Sequence, residues 1–520
     1  MKNEEDEMRE RQDAWKLGLG PNEDGWNDTI LWYAKGVAEL QKLPFTDRRS
    51  WKFLAALHGF NAEDWREYYQ VLDTDEAIPD ALNPGAPVYY GNQCQHGSWY
   101  FLPWHRGYLH IFEAIVAAQI EALGGPSDWA LPYWNYLDAG APNAMQIPMA
   151  FTQPTLPDGN PNPLYLAPPN RWANAVTARP ELGGGLSLSL GGMINEHDFV
   201  VGSDGSIGLG GGRTGFSWSG RFSGDLERNP HNPVHVLLGA PPGRQRVGYM
   251  TDPSAAPLDP IFWLHHCNID RLWEAWMSSP DNNMVDEQDW FDGPFTPDRR
   301  FVMPSVDGSH VDVYFTARDT LNGGQFYPTY DDIFTGSGIS PTTEGVSVVS
   351  MGPSSEQTVD VIGANEDVLE LAGDVISSDV TLSLPDPTIM ATSMGATRAG
   401  ESVSRMYLRL EGIRSSAKWG MMEVYVNLPD DADEEDKSNY LADCLHLFGL
   451  SDSSDIDGIH GGNGLGFNIE ITSLVKTLLD ANQFDPTKLN VSFVPIGAEL
   501  KDEGVSIERI SIMKRTGKIP

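Results

Sequence analysis

Four stretches of this chain concentrate side chains that could bind a metal. Cys94 to Glu113, CQHGSWYFLPWHRGYLHIFE, sets a cysteine two residues before His96 and a second imidazole at His105, inside a run dense in aromatic residues. Asn229 to Gly239, NPHNPVHVLLG, sets His231 and His235 four apart, on one face of a helix. Asp259 to Trp276, DPIFWLHHCNIDRLWEAW, carries the pair His265 and His266 at the head of an amphipathic helix, and Trp51 to Gly59, WKFLAALHG, ends in His58. Neutral imidazoles in such surroundings suit copper, zinc, iron or nickel. An octahedral magnesium site would need oxygen ligands that these motifs lack. Any one of these histidines, taken alone, is also compatible with a core residue whose ring nitrogens are both satisfied.

Such side chains need rigid carriers. Trp26 to Leu43 (WNDTILWYAKGVAELQKL) has apolar residues at helical spacing, with Asn27 or Asp28 available as a cap. Ser50 to His58 reads as a second helix, and Trp104 to Leu123 as a third, closed by Gly124 and Gly125. Asn232 to Leu238 and Asn268 to Met277 supply the last two. Four helices with ligands projecting inward make a bundle, so a mainly α core, an antiparallel four-helix bundle, is expected. Gln70 to Asn92 and the long Gly- and Pro-rich stretch Pro142 to Arg228 read as loops, the second forming part of the rim of the site. Residues up to about Gly20 are densely charged and read as a mobile or docking arm.

Beyond Tyr330 the character changes. SVVSM, TVDVI, DVTLSL, RMYLRLEGI, MMEVYVNL, LGFNIEI and KLNVSFVPI are short β-branched runs punctuated by Gly, Pro and Asp, the pattern of an all-β sandwich. The division expected is residues 1–335 for the catalytic domain and 336–520 for a linker and the β domain, in keeping with two domains for 520 residues.

A formal charge of −38 argues against nucleic acid or an anionic membrane as partner. The N-terminus, MKNEEDEMRERQDAW, lacks the apolar segment of a secretory signal, no apolar run approaches membrane-spanning length, and three cysteines make no disulfide framework. A cytoplasmic location is the expectation.

HGSWYFLPWHR and DPIFWLHHCNIDRLW together resemble the two copper signatures of the tyrosinase, catechol oxidase and hemocyanin family, the type-3 copper proteins. The resemblance runs from about Trp15 to Tyr330. FYPTY, Phe326 to Tyr330, resembles the tyrosine motif that ends the core in this family, and EVYVNLP, CLHLFGL, HGGNGLGFNIEIT and LNVSFVPI resemble the C-terminal domain of long tyrosinases and polyphenol oxidases. The resemblance implies two copper ions in a dinuclear site with O₂ as co-substrate, one ion held by His58, His96 and His105 and the other by His231, His235 and His266. Imidazole supports both Cu(I) and Cu(II), as a reversible two-electron site requires; zinc also takes three histidines, but two adjacent sets of three disfavour it.

By the same resemblance, His265 stands beside the ligand set, Phe262 packs on the second-copper histidines, and Asp259 orients a ring N–H or anchors the turn. Cys94 matches the cysteine that is joined to the histidine ring by a thioether in fungal tyrosinases and molluscan hemocyanins; the other reading is a buried free thiol. Glu227 and Asn232 match the pair that holds a water able to deprotonate a phenol, with the carboxylate expected at a depressed pKa near two cations; Glu227 is also placed to favour a helix dipole. Val236, after His235, would leave the approach fairly open. Arg106, Glu113, Asp270 and Arg271 read as an ion-pair lattice, and His110, His197, His310, His446 and His460 as non-ligands.

The activity implied is a tyrosinase, which hydroxylates monophenols and oxidises o-diphenols to o-quinones. Two alternatives are an oxidase limited to catechols or o-aminophenols and a hemocyanin-like oxygen carrier. Small phenols are the substrates implied; a homo-oligomer and a copper chaperone are compatible partners. The β domain, from about Pro341 to Pro520, is expected to cover the site and make the enzyme latent, with a loop such as Pro385 to Glu401 or Ser451 to Gly464 supplying the plug and the Thr335 to Thr343 linker offering a point of release.

Overall fold

The computed structural model of the chain describes residues 9–519 apart from 183–187, 205–206, 216–221, 295–299, 334–350, 352–355, 366, 372–374, 385–391, 430, 434–435 and 459–460. The expected linker, the expected SVVSM strand before Met351, most of the Pro385 to Glu401 loop's first half, and His460 lie outside the described residues.

Helix α1, Asp28–Lys42, is capped by Asn27, whose side chain accepts from Ile30 N, and α2, Trp51–His58, is capped by Ser50 in the same way through Phe53 N. Helix α3, Phe101–Ala122, begins three residues before the expected start. It takes Pro103 into its first turn, where no intrahelical N–H is missed. Its end follows expectation: Gly124 adopts a positive φ and Gly125 N donates to Ile120 O at 2.9 Å. The short α4, Gly191–Asn195, is followed by α5, Asn232–Gly239, and α6, Ile261–Met277. Helix α6 starts seven residues earlier than expected, because Asp259 caps it through Ile261 N (3.0 Å). The run IFWLHH is buried throughout and so shows no helical periodicity. Aromatic contacts lock α3 to α6: Trp263 stacks on Phe112 at 3.4 Å and lies 4.7 Å from Tyr108.

The charged arm is docked where it is described. Strand β1, Glu10–Arg11, pairs in parallel with β4, Thr329–Tyr330, and between them come the paired strands β2, Phe301–Pro304, and β3, Asp312–Phe315. Arg11, buried, donates to Glu113 (2.6 Å), Asp270 (3.1 Å) and the Tyr330 hydroxyl (2.9 Å). Arg106 donates to Asp270 (2.5 Å) and Glu274 (3.3 Å), while Arg271 lies over the Tyr133 ring. Arg106, Glu113 and Asp270 thus join in an ion-pair lattice as expected, with Arg11, Glu274 and the Tyr330 hydroxyl added, whereas Arg271 donates to Asn268 Oδ1 (3.0 Å) and the Asp332 carbonyl (3.2 Å) instead; burial makes each charge depend on its partners.

The C-terminal part is a β sandwich. Its strands are β5 (Thr358–Asn365), β6 (Leu369–Leu371), β7 (Ile376–Thr381), β8 (Ser402–Arg414), β9 (Met421–Val426), β10 (Leu441–His446), β11 (Leu465–Glu470), β12 (Lys488–Ile496) and β13 (Val505–Lys518). One sheet has the order β10-β9-β12-β7; the other has β11-β8-β13-β5, with β6 also on β13. Leu408, Leu410, Val424, Val426, Phe493, Ile507 and Ile512 fill the space between them. Strand β13 was not among the expected runs, yet it is central to its sheet, antiparallel to both β8 and β5.

The sandwich docks on the helical core through buried charge. Arg515 of β13 donates to both carboxylate oxygens of Glu196 (3.0 and 2.8 Å), to Asp198 and to the Tyr407 hydroxyl. Arg405 reaches Asn195 O (3.1 Å), Arg409 reaches Asp204 (2.5 Å), and Arg228 of the core pairs with Asp443 of β10. Basic residues inside β8 and β13 are thus matched to an acidic rim on the core.

Candidate metal centre

Six imidazoles converge where α2, α3, α5 and α6 face one another. The three that end a helix or follow its first turn are oriented by backbone carbonyls. His58 Nδ1 donates to Pro253 O (2.8 Å), His105 Nδ1 to Phe101 O (2.7 Å) and His235 Nδ1 to Met250 O (2.7 Å). Two more are oriented by side chains: His96 Nδ1 lies 3.0 Å from Glu227 Oε1, and His231 Nδ1 lies 2.9 Å from Asn232 Oδ1. With the proton on Nδ1, each Nε2 presents a bare lone pair to the middle of the bundle.

Those lone pairs crowd together. His235 Nε2 is 3.1 Å from His231 Nε2 and 3.2 Å from His266 Nε2, and His96 Nε2 is 3.4 Å from His58 Nε2. Acceptors at such distances repel unless a cation lies between them. Nitrogens about 2.0 Å from one tetrahedral ion stand about 3.3 Å apart, so the spacing fits a metal. Burial, with the neighbouring histidines adding to it, holds His105, His231, His235 and His266 well below the usual imidazole pKa, and burial brings His96 down to about 3. The rings are neutral donors, the state a metal ligand requires.

The donor atoms form overlapping sets: His231, His235, His265 and His266; His58, His105 and His266; and His58, Cys94 and His96. His266 belongs to two of them and stacks on His105 at 4.5 Å, so it lies between the two halves. His265 is also buried among them, 5.0 Å from the His235 ring, 5.4 Å from that of His231 and 5.6 Å from Tyr136. Phe262 lies 4.1 Å from the His266 ring and 5.2 Å from that of His58, touching both halves rather than one alone. Phe101, which sequence reasoning left unremarked, packs 4.7 Å from His105 and 4.8 Å from His231. Cys94 is a buried thiol whose pKa is driven up by burial.

Several expectations change in detail. Of the two roles expected of Asp259, the second is seen: it reaches no imidazole but anchors the turn into α6 through Ile261 N and forms a fully buried pair with Arg171 (Nε–Oδ2 2.8 Å). Glu227 and Asn232 each accept from an imidazole of a different set, and the carboxylate also takes Gly97 N with both oxygens (2.9 and 3.0 Å). Burial pushes the Glu227 carboxyl up to about 8, with the N–H of Gly97, the Ser223 side chain and the N–H of Gly224 acting against it, so the protein groups by themselves raise the pKa that was expected to be depressed. Val236 is fully buried, and no open approach lies over its neighbour His235. That space holds Phe448 of the β domain, stacked on His235 at 4.1 Å with the planes 21° apart and 5.5–5.6 Å from His96 and His231. Phe448 lies in neither of the loops expected to plug the site; it follows β10, just before the short helix Leu450–Ser454.

The remaining histidines are elsewhere. His110 packs 4.7 Å from Phe326, His197 Nδ1 binds Asn282 Oδ1, His310 is exposed, and His446 Nδ1 lies 3.2 Å from Cys444 O. Among the described residues, no helix is long and apolar enough to cross a membrane.

Comparison with known proteins agrees with this geometry. The family model described as "Common central domain of tyrosinase" matches residues 48–198 and 204–279, and one described as "Domain of unknown function (DUF7868)" matches 358–515. Tyrosinase HcTyr1 of Hahella sp. (strain CCB-MM4) is 30% identical over 517 residues, covering 97% of this chain and 99% of that protein. Catechol oxidase B of Solanum tuberosum is 25% identical over 463 residues, 82% of this chain and 68% of that one. The structure of latent apple tyrosinase has the same fold, with a TM-score of 0.61 at 22% identity over 98% of this chain and 97% of that one. The imidazole cluster is a dinuclear type-3 copper centre, and the chain belongs to the tyrosinase family of copper phenol oxidases, in the long form that carries a C-terminal β domain.

Proposed function

We propose that this protein is a latent tyrosinase, which hydroxylates monophenols at the ortho position and oxidises o-diphenols to o-quinones once its β domain is displaced. On this reading His58, His96 and His105 hold one copper, and His231, His235 and His266 hold the other. When bound, the copper pair supplies the two-electron redox capacity with which O₂ is reduced. The protein orients the six imidazoles, excludes bulk water and positions the phenol.

The observation that carries this reading is Phe448. A phenyl ring lying 4.1 Å from His235 and nearly parallel to it takes the stacking position that suits the ring of a phenol. Removing it frees an aromatic site directly over the copper ligands. Glu227 then acts on the proton of a monophenol, accepting it through a water that Asn232 helps to hold, while a catechol depends less on that route. Cys94 and His96 are proposed to be joined by a thioether, which would fix the ring beside Glu227.

Two other readings keep a foothold. Known relatives include a catechol oxidase as well as a tyrosinase, so an enzyme limited to catechols or o-aminophenols uses the same scaffold. A site closed by Phe448 also suits an oxygen carrier. Oxygen uptake by copper-loaded Phe448→Ala protein with tyrosine, catechol and o-aminophenol separates the three: a tyrosinase turns over tyrosine and catechol, a catechol oxidase fails on tyrosine, and a carrier consumes oxygen with none.

A further inference from the structure

The loop from Tyr249 to Ser254 touches both halves of the copper centre. Met250 O accepts from His235 Nδ1 and Pro253 O from His58 Nδ1, so two carbonyls three residues apart orient imidazoles proposed above for different coppers. The loop has no freedom to slide. A Cβ at Gly59 would fall 2.6 Å from Pro253 O, and one at Gly239 would fall 2.1 Å from Thr251 Oγ1, so α2 and α5 press on it directly. Trp65 Nε1 also donates to Ser254 O (2.8 Å).

Asp252 stands between the two carbonyls and is buried. Its Oδ1 accepts from Ser254 N (2.8 Å) and Ser254 Oγ (2.7 Å), and its Oδ2 accepts from the Tyr69 hydroxyl (2.7 Å). Its backbone closes the turn: Asp252 N donates to Tyr249 O, and its carbonyl accepts from Ala255 N and Ala256 N. The cation that faces it comes from the other domain. Lys418 Nζ lies 3.3 Å from Asp252 Oδ2 and 3.0 Å from Asp64 Oδ2. Burial opposes ionisation of Asp252, but Lys418, Ser254 and Tyr69 together hold its carboxyl below the usual range.

We propose that Asp252 is a positioning residue for the copper centre and that Lys418 of the β domain is its counter-ion, so that the domain which closes the site also steadies the carbonyl shelf that orients one imidazole of each metal. Removing Lys418 strips the buried carboxylate of its counter-ion and leaves it only the Ser254 and Tyr69 hydrogen bonds, which favours rearrangement of the loop beside both carbonyls. The domain is then both a lid and a brace: release opens the site to phenols and loosens the grip on the metal. This rests on the six-ligand reading above, because only that reading assigns His58 and His235 to two ions.

The test uses full-length protein loaded with cobalt(II) as a spectroscopic probe. Metal stoichiometry, ligand-field spectrum, affinity in competition with a chelator and the melting temperature of the metal-free protein are compared for wild type, Lys418→Met, Asp252→Asn and the double variant. Lys418→Met should weaken metal binding about tenfold and shift the ligand-field bands, in the range found for groups that orient ligands. The double variant removes both charges and should recover most of the affinity and the wild-type spectrum. An unchanged spectrum and affinity in Lys418→Met overturns the proposal, and so does a double variant no better than Lys418→Met. Two ions in wild type with unaltered variants defeats this proposal alone. Fewer than two ions in wild type defeats the six-ligand reading, and the proposal with it.

Discussion

Phe448 of the β domain and His235 of α5 stack at 4.1 Å, 213 positions apart in the chain, with their planes 21° from parallel. The contact joins the two parts of the molecule directly over the imidazole cluster. Among the described residues, Phe448 meets the rings of His96 and His231 edge-on, at 72° and 80°, and only that of His235 nearly face to face.

On the proposed reading, Glu227 should separate the two activities. Its carboxylate lies against His96 and Gly97. In protein opened by Phe448→Ala, Glu227→Gln should lower monophenol kcat about 100-fold, the usual scale of a lost general base, and leave diphenol kcat within a few-fold. Steady-state rates on tyrosine and catechol decide it. An equal loss on both makes Glu227 a support for His96 and the Gly97 turn.

The neighbouring histidines on α6 should differ sharply. His266 lies between both imidazole sets, whereas His265 reaches one of them only. His266→Ala should lose one copper of two, and His265→Ala should keep both with altered activity. Copper per chain, measured on protein shown to be folded, checks this. The opposite pattern transfers the ligand role to His265.

Closure should depend on acid in a defined window. Arg515 holds Glu196 and Lys418 holds Asp252 below the usual carboxylate range, against the pull of burial. A carboxyl depressed in the docked state stabilises docking above its free value, and that contribution is lost as pH falls through the docked value. Burial raises Asp225 to about 6 and Asp452 to about 8, and these groups favour docking as pH falls through those values. Burial also raises Asp198, which shares Arg515; docking should therefore weaken above about 8 and should decline progressively as pH falls below the free carboxylate range of about 4 and through the docked values of Glu196 and Asp252. After the linker is cut, the two parts should co-elute at pH 7 and separate after brief exposure near pH 3, with catechol oxidation rising on return to pH 7. Separation at pH 7 on cutting alone would mean that the Arg515 cluster does not hold the domain.

Cys94 offers a covalent check. Copper-loaded protein exposed to air should yield a peptide in which Cys94 and His96 are joined, lighter by two hydrogens than the unlinked form, and Cys94→Ala protein should bind copper more weakly. A free, alkylatable Cys94 after repeated turnover would leave it a packing residue.

Much of the site is legible in the chain because helices repeat faithfully. His231 and His235 share a face, Asn27 and Ser50 cap where their side chains can reach N3, and Gly124 ends α3 with the backbone that only glycine adopts freely. The missed features depend on distant partners. Strand β13 carries Arg509, Lys514 and Arg515 among its apolar residues, and the alternation fails because Arg515 is buried against Glu196 and Asp198 of the core. Helix α6 hides its start because IFWLHH is enclosed on every side. Phe448 looks like one more apolar residue after β10, since its role comes only from the docked domain. Arg11 and Arg171 were invisible for the same reason: each is a charge whose partners lie on other segments.

The most direct measurement is copper content together with oxygen uptake on catechol, for full-length protein and for Phe448→Ala. A dicopper enzyme closed by Phe448 should show two coppers per chain in both, slow catechol oxidation by the wild type, and a rate about tenfold higher once the stacked ring is gone. Two coppers with no acceleration in Phe448→Ala, or fewer than two coppers in the wild type, would contradict it.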